Sequence, residues 1–184
     1  MKRRSQKLRL FYCPFFVGLF FTQENISLMV DVSGTQQPGQ PPKRKNTKRT
    51  GEFSEAAFLL KATSLGFRVA KPWGDSERYD FIVACTAQDF SKRFWRVQVK
   101  CTETTRARAY EVRAAYCSGK GRAIYTPEDI DFLVAHIVPL NIWYVLPVAA
   151  CMPSPMLRFY PDGARCARFE QYREAWNLLT IPRN

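Results

Sequence analysis

Apolar side chains recur between Thr50 and Gly66 at the spacing of one helix face. Phe53, Ala57 and Leu60 form this stripe, because positions three and four apart lie on the same side of an α-helix. Thr50 can cap the helix start, and glycine is a common residue at a helix end. The pattern therefore predicts an α-helix across this stretch.

Short apolar runs follow the predicted helix, and several of them alternate polar and apolar residues with the period of two that a β-strand shows. One helical turn is predicted at 126–130, where a Thr-Pro-Glu-Asp pattern begins, and an amphipathic helix is predicted at 168–179. This order of helices and strands indicates an α/β fold. The predicted strands span residues 67–70, 79–85, 93–101, 109–116, 131–138 and 142–148.

Three ring-bearing side chains are expected in the core rather than at a binding surface. Trp73 and Trp95 could serve as base-stacking platforms, but large aromatic residues are more often buried. His136 lies in the apolar run FLVAHIV. We therefore expect a buried, hydrogen-bonded histidine at this position and not a general base.

The first part of the chain differs from the rest in composition. Residues 32–50 are rich in Gly, Pro, Gln, Lys and Arg, which is typical of a segment without a core. We predict a leader and a flexible, disordered basic arm over 1–49, and one domain over 50–184. The leader resembles a signal peptide, but Pro14 interrupts its apolar run and no small-residue cleavage site follows, so a translation start at Met29 is the alternative. The apolar run is too short to cross a bilayer, and no stable membrane association is expected.

Positive charge is concentrated in this first part. The formal net charge is +12; ten Lys and Arg residues stand against two acidic residues in 1–50, and 18 stand against 14 in 51–184. A basic chain favours a polyanionic partner such as nucleic acid or an anionic membrane. The six cysteines form no CxxC pair. This spacing argues against a zinc site, and the length of the chain argues against a disulfide framework. We therefore expect reduced thiols in the cytoplasm.

The stretch WRVQVKCT places two polar side chains together on a predicted strand. Gln98 and Lys100 share one face, because side chains alternate along a strand. Asp80 opens the preceding strand, and a short connection favours antiparallel pairing that brings Asp80 near this face. A carboxylate, an amide oxygen and the Val99 carbonyl are hard oxygen donors, which Mg²⁺ prefers. The sequence thus predicts a magnesium site beside a lysine, against the alternatives that Asp80 pairs with Arg78 and that Lys100 is a solvated lysine of an edge strand.

Three motifs, GEFSEAAFLL, SERYDFIV and FWRVQVKCT, occur in this order and resemble the PD-(D/E)XK nuclease superfamily over residues 48–150. The resemblance is strongest to the branch that includes group I intron-encoded homing endonucleases, with archaeal Holliday-junction resolvases as more distant relatives. It implies a restriction-endonuclease-like αβββαβ core, in which helices flank a mixed central sheet. One departure is Tyr79, which stands where the motif has proline.

The resemblance also implies a role for each polar residue of these motifs. Asp80 would bind the catalytic metal, Gln98 would take the (D/E) position, and Lys100 would be the motif lysine. Glu55 would be the helix carboxylate, with Glu52 as the alternative. Gln98 removes one negative charge from the site, so weaker metal binding is the physical expectation.

Together these features predict a Mg²⁺-dependent endonuclease that hydrolyses phosphodiester bonds in DNA. Two alternatives stay open: a nuclease-fold DNA-binding protein that has lost catalysis, and a peripheral membrane protein that uses the leader and the arm. A homo-oligomer would bring one site to each DNA strand, and the sequence leaves the oligomeric state open. The residues expected to contact DNA are Lys43, Arg44, Lys45, Lys48, Arg49 and Arg78.

Overall fold

The computed structural model describes residues 47–86, 92–119, 121–163 and 167–180. The helices in these ranges are α1 (Thr47–Ser64) and α2 (Val148–Cys151), and no helix there is both long and apolar enough to span a membrane. Single 3-10 turns span 138–140, 170–172 and 176–179. The strands are β1 (Arg68–Ala70), β2 (Phe81–Thr86), β3 (Lys92–Thr102), β4 (Thr105–Arg106), β5 (Ala109–Arg113), β6 (Ala115–Ser118), β7 (Gly121–Ile124), β8 (Phe132–Ile137), β9 (Ile142–Pro147) and β10 (Met156–Phe159).

A five-stranded sheet forms the centre of the domain, in the order β1-β2-β3-β8-β9. Strands β3 and β8 run parallel, and the other neighbouring pairs are antiparallel. Every residue of β8, which reads FLVAHI, is buried, as expected for a strand covered on both faces. The mixed sheet and its helix confirm the predicted fold class.

Apolar side chains pack against both faces of this sheet. On one face, the Phe58 ring of α1 lies 5.0 Å from the ring of Phe81 and 6.3 Å from that of Trp143, measured between centroids. On the other face, Leu133 and Ala135 of β8 pack in a second cluster with residues of β5 and β10. Strand β3 is therefore held between two packed layers, which gives its polar side chains fixed positions.

The connection from β3 to β8 contains hairpins where the αβββαβ scheme places a helix. Strands β10, β5 and β4 form a three-stranded sheet in that order, and β6 pairs with β7. The single strand predicted over 109–116 is split into β5, which pairs with β4 and β10, and β6, which pairs with β7. In the described part of the chain, the parallel crossover is thus made by strands.

Helix α1 begins at Thr47, before the predicted start at Thr50. Lys48 and Arg49, which belong to the predicted arm, therefore lie on the first turn of α1. The Thr50 hydroxyl donates to Glu103 Oε1 at 3.1 Å, so this part of the helix is tied to the segment after β3. The remainder of the predicted arm and the leader lie outside the described residues.

The prediction of a C-terminal amphipathic helix at 168–179 is wrong, because this segment forms two single 3-10 turns instead. Glu174 between the turns has a φ of 48°. Its carboxylate accepts the Trp143 N–H at 2.9 Å and the Trp176 indole N–H at 2.8 Å, and its own N–H donates to the Trp143 carbonyl at 2.7 Å. These contacts with β9 hold the segment in a kink that outweighs its local helix propensity.

Candidate active site

Strand β3 carries the two polar residues of the motif at the centre of the sheet. Residues 92–97 of β3 pair with β2, and residues 97–102 pair with β8. Lys100 pairs with Ala135 of β8 and lies beyond the part of β3 that pairs with β2, so the choice between a catalytic lysine and a solvated strand lysine stays a prediction. Gln98 is only 6% exposed, and Lys100 is half-buried. A buried amide requires hydrogen-bond partners, which Asp80 and the strand itself supply.

Asp80 immediately precedes β2 and is fixed against β3 by three hydrogen bonds. Its N–H donates to the Val97 carbonyl at 2.9 Å, and its Oδ2 accepts the Val99 N–H at 2.8 Å and a proton of Gln98 Nε2 at 2.5 Å. Burial raises the pKa of the Asp80 carboxyl, and the negative charge of Glu55 raises it further. The hydrogen bond from the Val99 N–H lowers this pKa, but it does not outweigh burial. A carboxylate in such surroundings is stabilised by a nearby cation.

The Gln98 amide group lies between two oxygens that the sequence predicts as metal ligands. Gln98 Nε2 donates to Asp80 Oδ2 at 2.5 Å and to the Val99 carbonyl at 3.2 Å. The amide nitrogen thus presents its partial positive charge to the same two oxygens that a cation would contact. Rotation of the amide by half a turn would present its oxygen instead.

The oxygens at this junction fit a hard divalent cation in chemical type. Asp80 offers a carboxylate, Val99 a carbonyl, and Gln98 an amide oxygen after rotation; Mg²⁺ accepts such ligands and completes its shell with water. Within the described ranges, no group of three or more His, Cys, Asp or Glu side chains is arranged to hold a metal ion. A metal here would therefore depend on the amide and carbonyl oxygens.

Of the two candidate helix carboxylates, Glu55 is the one near Asp80. Glu55 is partly buried, and its negative charge contributes to the raised pKa of Asp80. Lys71 Nζ donates to Glu55 Oε2 at 2.7 Å. Glu52, by contrast, is exposed and forms an ion pair with Lys48 at 3.9 Å. The geometry therefore favours Glu55 over Glu52 for the role that the resemblance implies.

Lys71 belongs to no motif, and sequence reasoning missed it. The hydrogen bond to Glu55 raises the pKa of Lys71 most strongly, and the charge of Asp80 also raises it. Its ammonium group therefore lies in the field of both carboxylates of the site. Lys71 and Glu55 are 16 positions apart in the sequence. Their contact therefore becomes apparent only when α1 is seen to pack beside β1.

Lys100 lies at one end of a series of stacked cationic and aromatic groups. Its Nζ is 5.7 Å from the centroid of Tyr125, the rings of Tyr125 and Tyr116 are 5.1 Å apart, and Arg78 Cζ is 3.9 Å from the Tyr116 centroid. Such cation–π contacts favour a fixed ammonium position. Burial raises the pKa of the Tyr125 hydroxyl, so this ring stays neutral. Arg78 thus stacks on Tyr116. The alternative that Arg78 forms an ion pair with Asp80 has no support in this geometry.

His136 is a buried core histidine, as the sequence predicts. Its ring stacks on Trp143 with centroids 3.8 Å apart, and Nδ1 lies 3.0 Å from Ser54 Oγ. Nε2 lies 3.4 Å from Asn141 Oδ1. Burial lowers the pKa of His136. The residue therefore anchors α1 to the sheet and thereby fixes the neighbouring Glu55.

The lowered pKa of His136 predicts that folding stability decreases in mild acid. The unfolded chain takes up a proton near pH 6.5, whereas the folded chain resists protonation at this site. The stabilising contribution is therefore present above pH ~6.5 and disappears as the pH falls through the folded-state pKa. His136 is the one histidine of the chain, so His136→Gln should remove this part of the pH dependence. Urea unfolding between neutral and mildly acid pH would measure it; equal pH slopes for both proteins would contradict the prediction.

Comparison with known proteins agrees with this geometry. A family model described as PD-(D/E)XK endonuclease matches residues 45–179. Among solved structures, the chain is similar to the bacterial homing endonuclease I-Ssp6803I with 28% sequence identity and a TM-score of 0.61, over 73% of this chain and 93% of that one. No protein with a curated function matches. These findings confirm the superfamily and the homing-endonuclease-like branch that the motifs indicate. Since the family model spans most of the sequence, this chain belongs to the PD-(D/E)XK endonuclease family.

Proposed function

We propose that this protein is a Mg²⁺-dependent endonuclease that hydrolyses phosphodiester bonds in DNA. The main observation behind the proposal is that the Asp80 carboxylate and the Val99 carbonyl both accept hydrogen bonds from the Gln98 amide, so that these oxygen donors lie close together. Lys100 follows on the same strand face. The family provides the nuclease chemistry, and the net charge of +12 favours a polyanionic substrate.

Each residue of the site has a distinct role in this proposal. A bound Mg²⁺ would supply positive charge for the phosphate and acidify a water molecule. Asp80 and the Val99 carbonyl hold two oxygen donors at fixed positions, and Gln98 adds a third when its amide turns. Lys100 donates hydrogen bonds to the attacking water or the scissile phosphate and orients an in-line attack. Glu55 adds a carboxylate close to Asp80, where it can hold a water or accept a proton.

The role of Gln98 is tested by its response to magnesium. Gln98→Ala should raise the Mg²⁺ concentration needed for cleavage about tenfold, because the variant lacks one ligand oxygen. Gln98→Glu should lower that concentration, since it adds a negative charge at nearly the same volume. Cleavage rate as a function of Mg²⁺ concentration measures both effects.

Gln171→Glu is the matched control for this titration, because it adds the same charge at an exposed position. It should leave the Mg²⁺ dependence unchanged. Gln98→Glu should also lower the melting temperature without metal, where two carboxylates repel each other, and Mg²⁺ should restore it. Superimposable Mg²⁺ curves for wild type and both Gln98 variants would exclude Gln98 as a ligand.

A DNA-binding protein without catalysis is the second candidate function. It is favoured by Gln98, which removes one negative charge from the metal site. Cleavage of plasmid DNA with Mg²⁺ and with EDTA, followed by linear, nicked and branched substrates, separates the two candidates. Binding without Mg²⁺-dependent cleavage would support the second candidate and contradict the first.

The basic arm is proposed to bind DNA phosphates. Lys43, Arg44 and Lys45 lie outside the described residues, whereas Lys48 and Arg49 lie on the first turn of α1. Replacing the first three by glutamine should lower the salt dependence of binding by about 0.9 in log–log slope for each phosphate that the variant no longer neutralises. The cleavage rate at saturating DNA should not change.

A charge-conserving exchange of Lys and Arg at these three positions is the control for the arm, and it should keep the wild-type slope. Fluorescence anisotropy at several salt concentrations measures both variants. An unchanged slope for the glutamine variant would show that the arm does not touch DNA.

We also propose that a homo-oligomer cuts both strands, because one site of this kind addresses one strand at a time. The cytoplasm is the proposed compartment, because six cysteines in a chain of 184 residues are best explained as reduced thiols.

A further inference from the structure

Trp73 is the one tryptophan of the chain with an exposed ring. Its relative exposure is 102%, whereas Trp95, Trp143 and Trp176 are 6%, 1% and 7% exposed. The expectation that Trp73 lies in the core is therefore wrong, although it is confirmed for Trp95. A large aromatic ring in water gains free energy when a partner covers it.

The loop that carries Trp73 is anchored at both ends in the candidate site. It begins at Lys71, which pairs with Glu55 at 2.7 Å, and ends at Asp80, whose Oδ2 accepts the Val99 N–H at 2.8 Å. Gly74 has a φ of 78°, a left-handed conformation that glycine adopts without strain and that turns the chain directly after Trp73. Chain length alone keeps the indole within roughly 25 Å of Asp80, which is about seven base-pair steps of 3.4 Å.

We propose that Trp73 stacks on a nucleobase of the DNA that binds at the candidate site. This inference rests on the proposed function, because it takes DNA as the partner. Asp75 and Glu77 follow Trp73 on the same loop, and Arg78, which comes next, stacks on Tyr116 at 3.9 Å. The charge next to Trp73 at the loop tip is therefore negative and does not favour phosphate contacts there. The ring is the feature of the tip that DNA can bind, because every base has a face on which an aromatic side chain stacks.

Stacking of this kind predicts which DNA binds best. In an intact duplex, a base must leave its stack before an aromatic side chain can contact its face, and this unstacking costs free energy. DNA with a base that is already unpaired needs no such step. We therefore expect Trp73 to contribute more to binding of a duplex with one bulged nucleotide than to binding of the intact duplex.

Direct binding measurements with labelled duplexes, intact or with one bulged adenine, test the inference in EDTA. Trp73→Leu should weaken binding of the bulged duplex about 5- to 150-fold, the effect expected for one stacked base. Trp73→Phe keeps a ring and should retain most of the affinity. Phe94→Leu is the matched control at another exposed aromatic residue, 62% exposed on β3, and should bind like the wild type.

Tryptophan fluorescence gives an independent readout, because the other three indoles are buried. The bulged duplex should quench the wild-type emission and protect it from acrylamide, and it should leave the emission of Trp73→Phe unchanged. Wild-type affinity in Trp73→Leu, or wild-type emission that does not respond to bound DNA, would overturn the inference. A wild type that binds no DNA, or a Trp73→Leu variant that changes only self-association, would overturn it as well.

The proposed function is tested by a separate measurement, which is plasmid cleavage that depends on Mg²⁺. If Trp73 stacks on DNA and no cleavage occurs, the stacking inference stands and the nuclease proposal fails. If the wild type cleaves and Trp73→Leu binds as tightly as the wild type, the nuclease proposal stands and the stacking inference fails.

Discussion

Asp80→Asn is expected to reduce Mg²⁺-dependent cleavage about 10³-fold or more while the fold and DNA binding persist. The asparagine oxygen can still accept the Val99 N–H, so the junction of β2 and β3 keeps that hydrogen bond. The variant lacks the negative charge, and metal-assisted charge stabilisation contributes several kcal/mol, or about three powers of ten in rate. DNA affinity should stay equal or rise, because one negative charge that faces phosphate is removed. Single-turnover cleavage and a binding isotherm measure the two effects.

Asp131→Asn is a matched control for this experiment. Asp131 Oδ2 also accepts a backbone N–H of β3, from Arg96 at 2.8 Å, and its carboxylate forms an ion pair with the Arg96 side chain at 3.2 Å. It takes no part in the proposed metal site. Its replacement should lower the melting temperature and retain cleavage at low temperature. Wild-type cleavage by Asp80→Asn would show that the metal assignment is wrong.

The polar face of β3 can be predicted from sequence because it depends on local geometry. The period of two places Gln98 and Lys100 on one face, and the short connection after β2 brings Asp80 beside them. The structure contains these neighbours, with Asp80 Oδ2 accepting hydrogen bonds from both Gln98 Nε2 and the Val99 N–H. Their chemical roles stay predictions until the substitutions are measured.

The residues that sequence reasoning missed depend on contacts between distant segments. Lys71 reaches Glu55 only because α1 packs beside the end of β1. Likewise Tyr125 meets Lys100 only because the residue that follows β7 comes back to β3. No periodicity or motif marks either residue, so neither contact can be read from the sequence alone.

Two wrong predictions have a common physical reason: local geometry outweighs a general tendency. The segment 168–179 has helical periodicity, but the hydrogen bonds of Glu174 to β9 hold it in a kink. Aromatic residues are usually buried, which predicts Trp73 in the core. The loop that turns at Gly74 instead carries its ring on the surface.

Lys100→Met is the second substitution with a large expected effect. The long apolar side chain of methionine keeps most of the packing of the lysine stem and removes the ammonium group. We expect the rate of cleavage at saturating DNA and Mg²⁺ to fall about 10²- to 10⁴-fold, the usual effect of removing a group that orients or deprotonates the nucleophile. DNA affinity should fall slightly, because one positive charge that faces phosphate is removed. The Mg²⁺ requirement should change little, because Lys100 is not among the oxygen donors. Lys100→Arg keeps the charge with a different geometry and should restore only part of the rate.

Lys92→Met provides the control on the same strand. Lys92 is exposed near the start of β3, eight positions before Lys100, and the period of two puts it on the same face. Its replacement should leave the single-turnover rate unchanged and at most weaken binding slightly at low salt. If Lys100→Met slowed cleavage no more than Lys92→Met does, Lys100 would be a strand lysine without a role in the chemistry. The contact with Tyr125 would then stabilise the fold alone, and the attacking water would have to be oriented by Glu55.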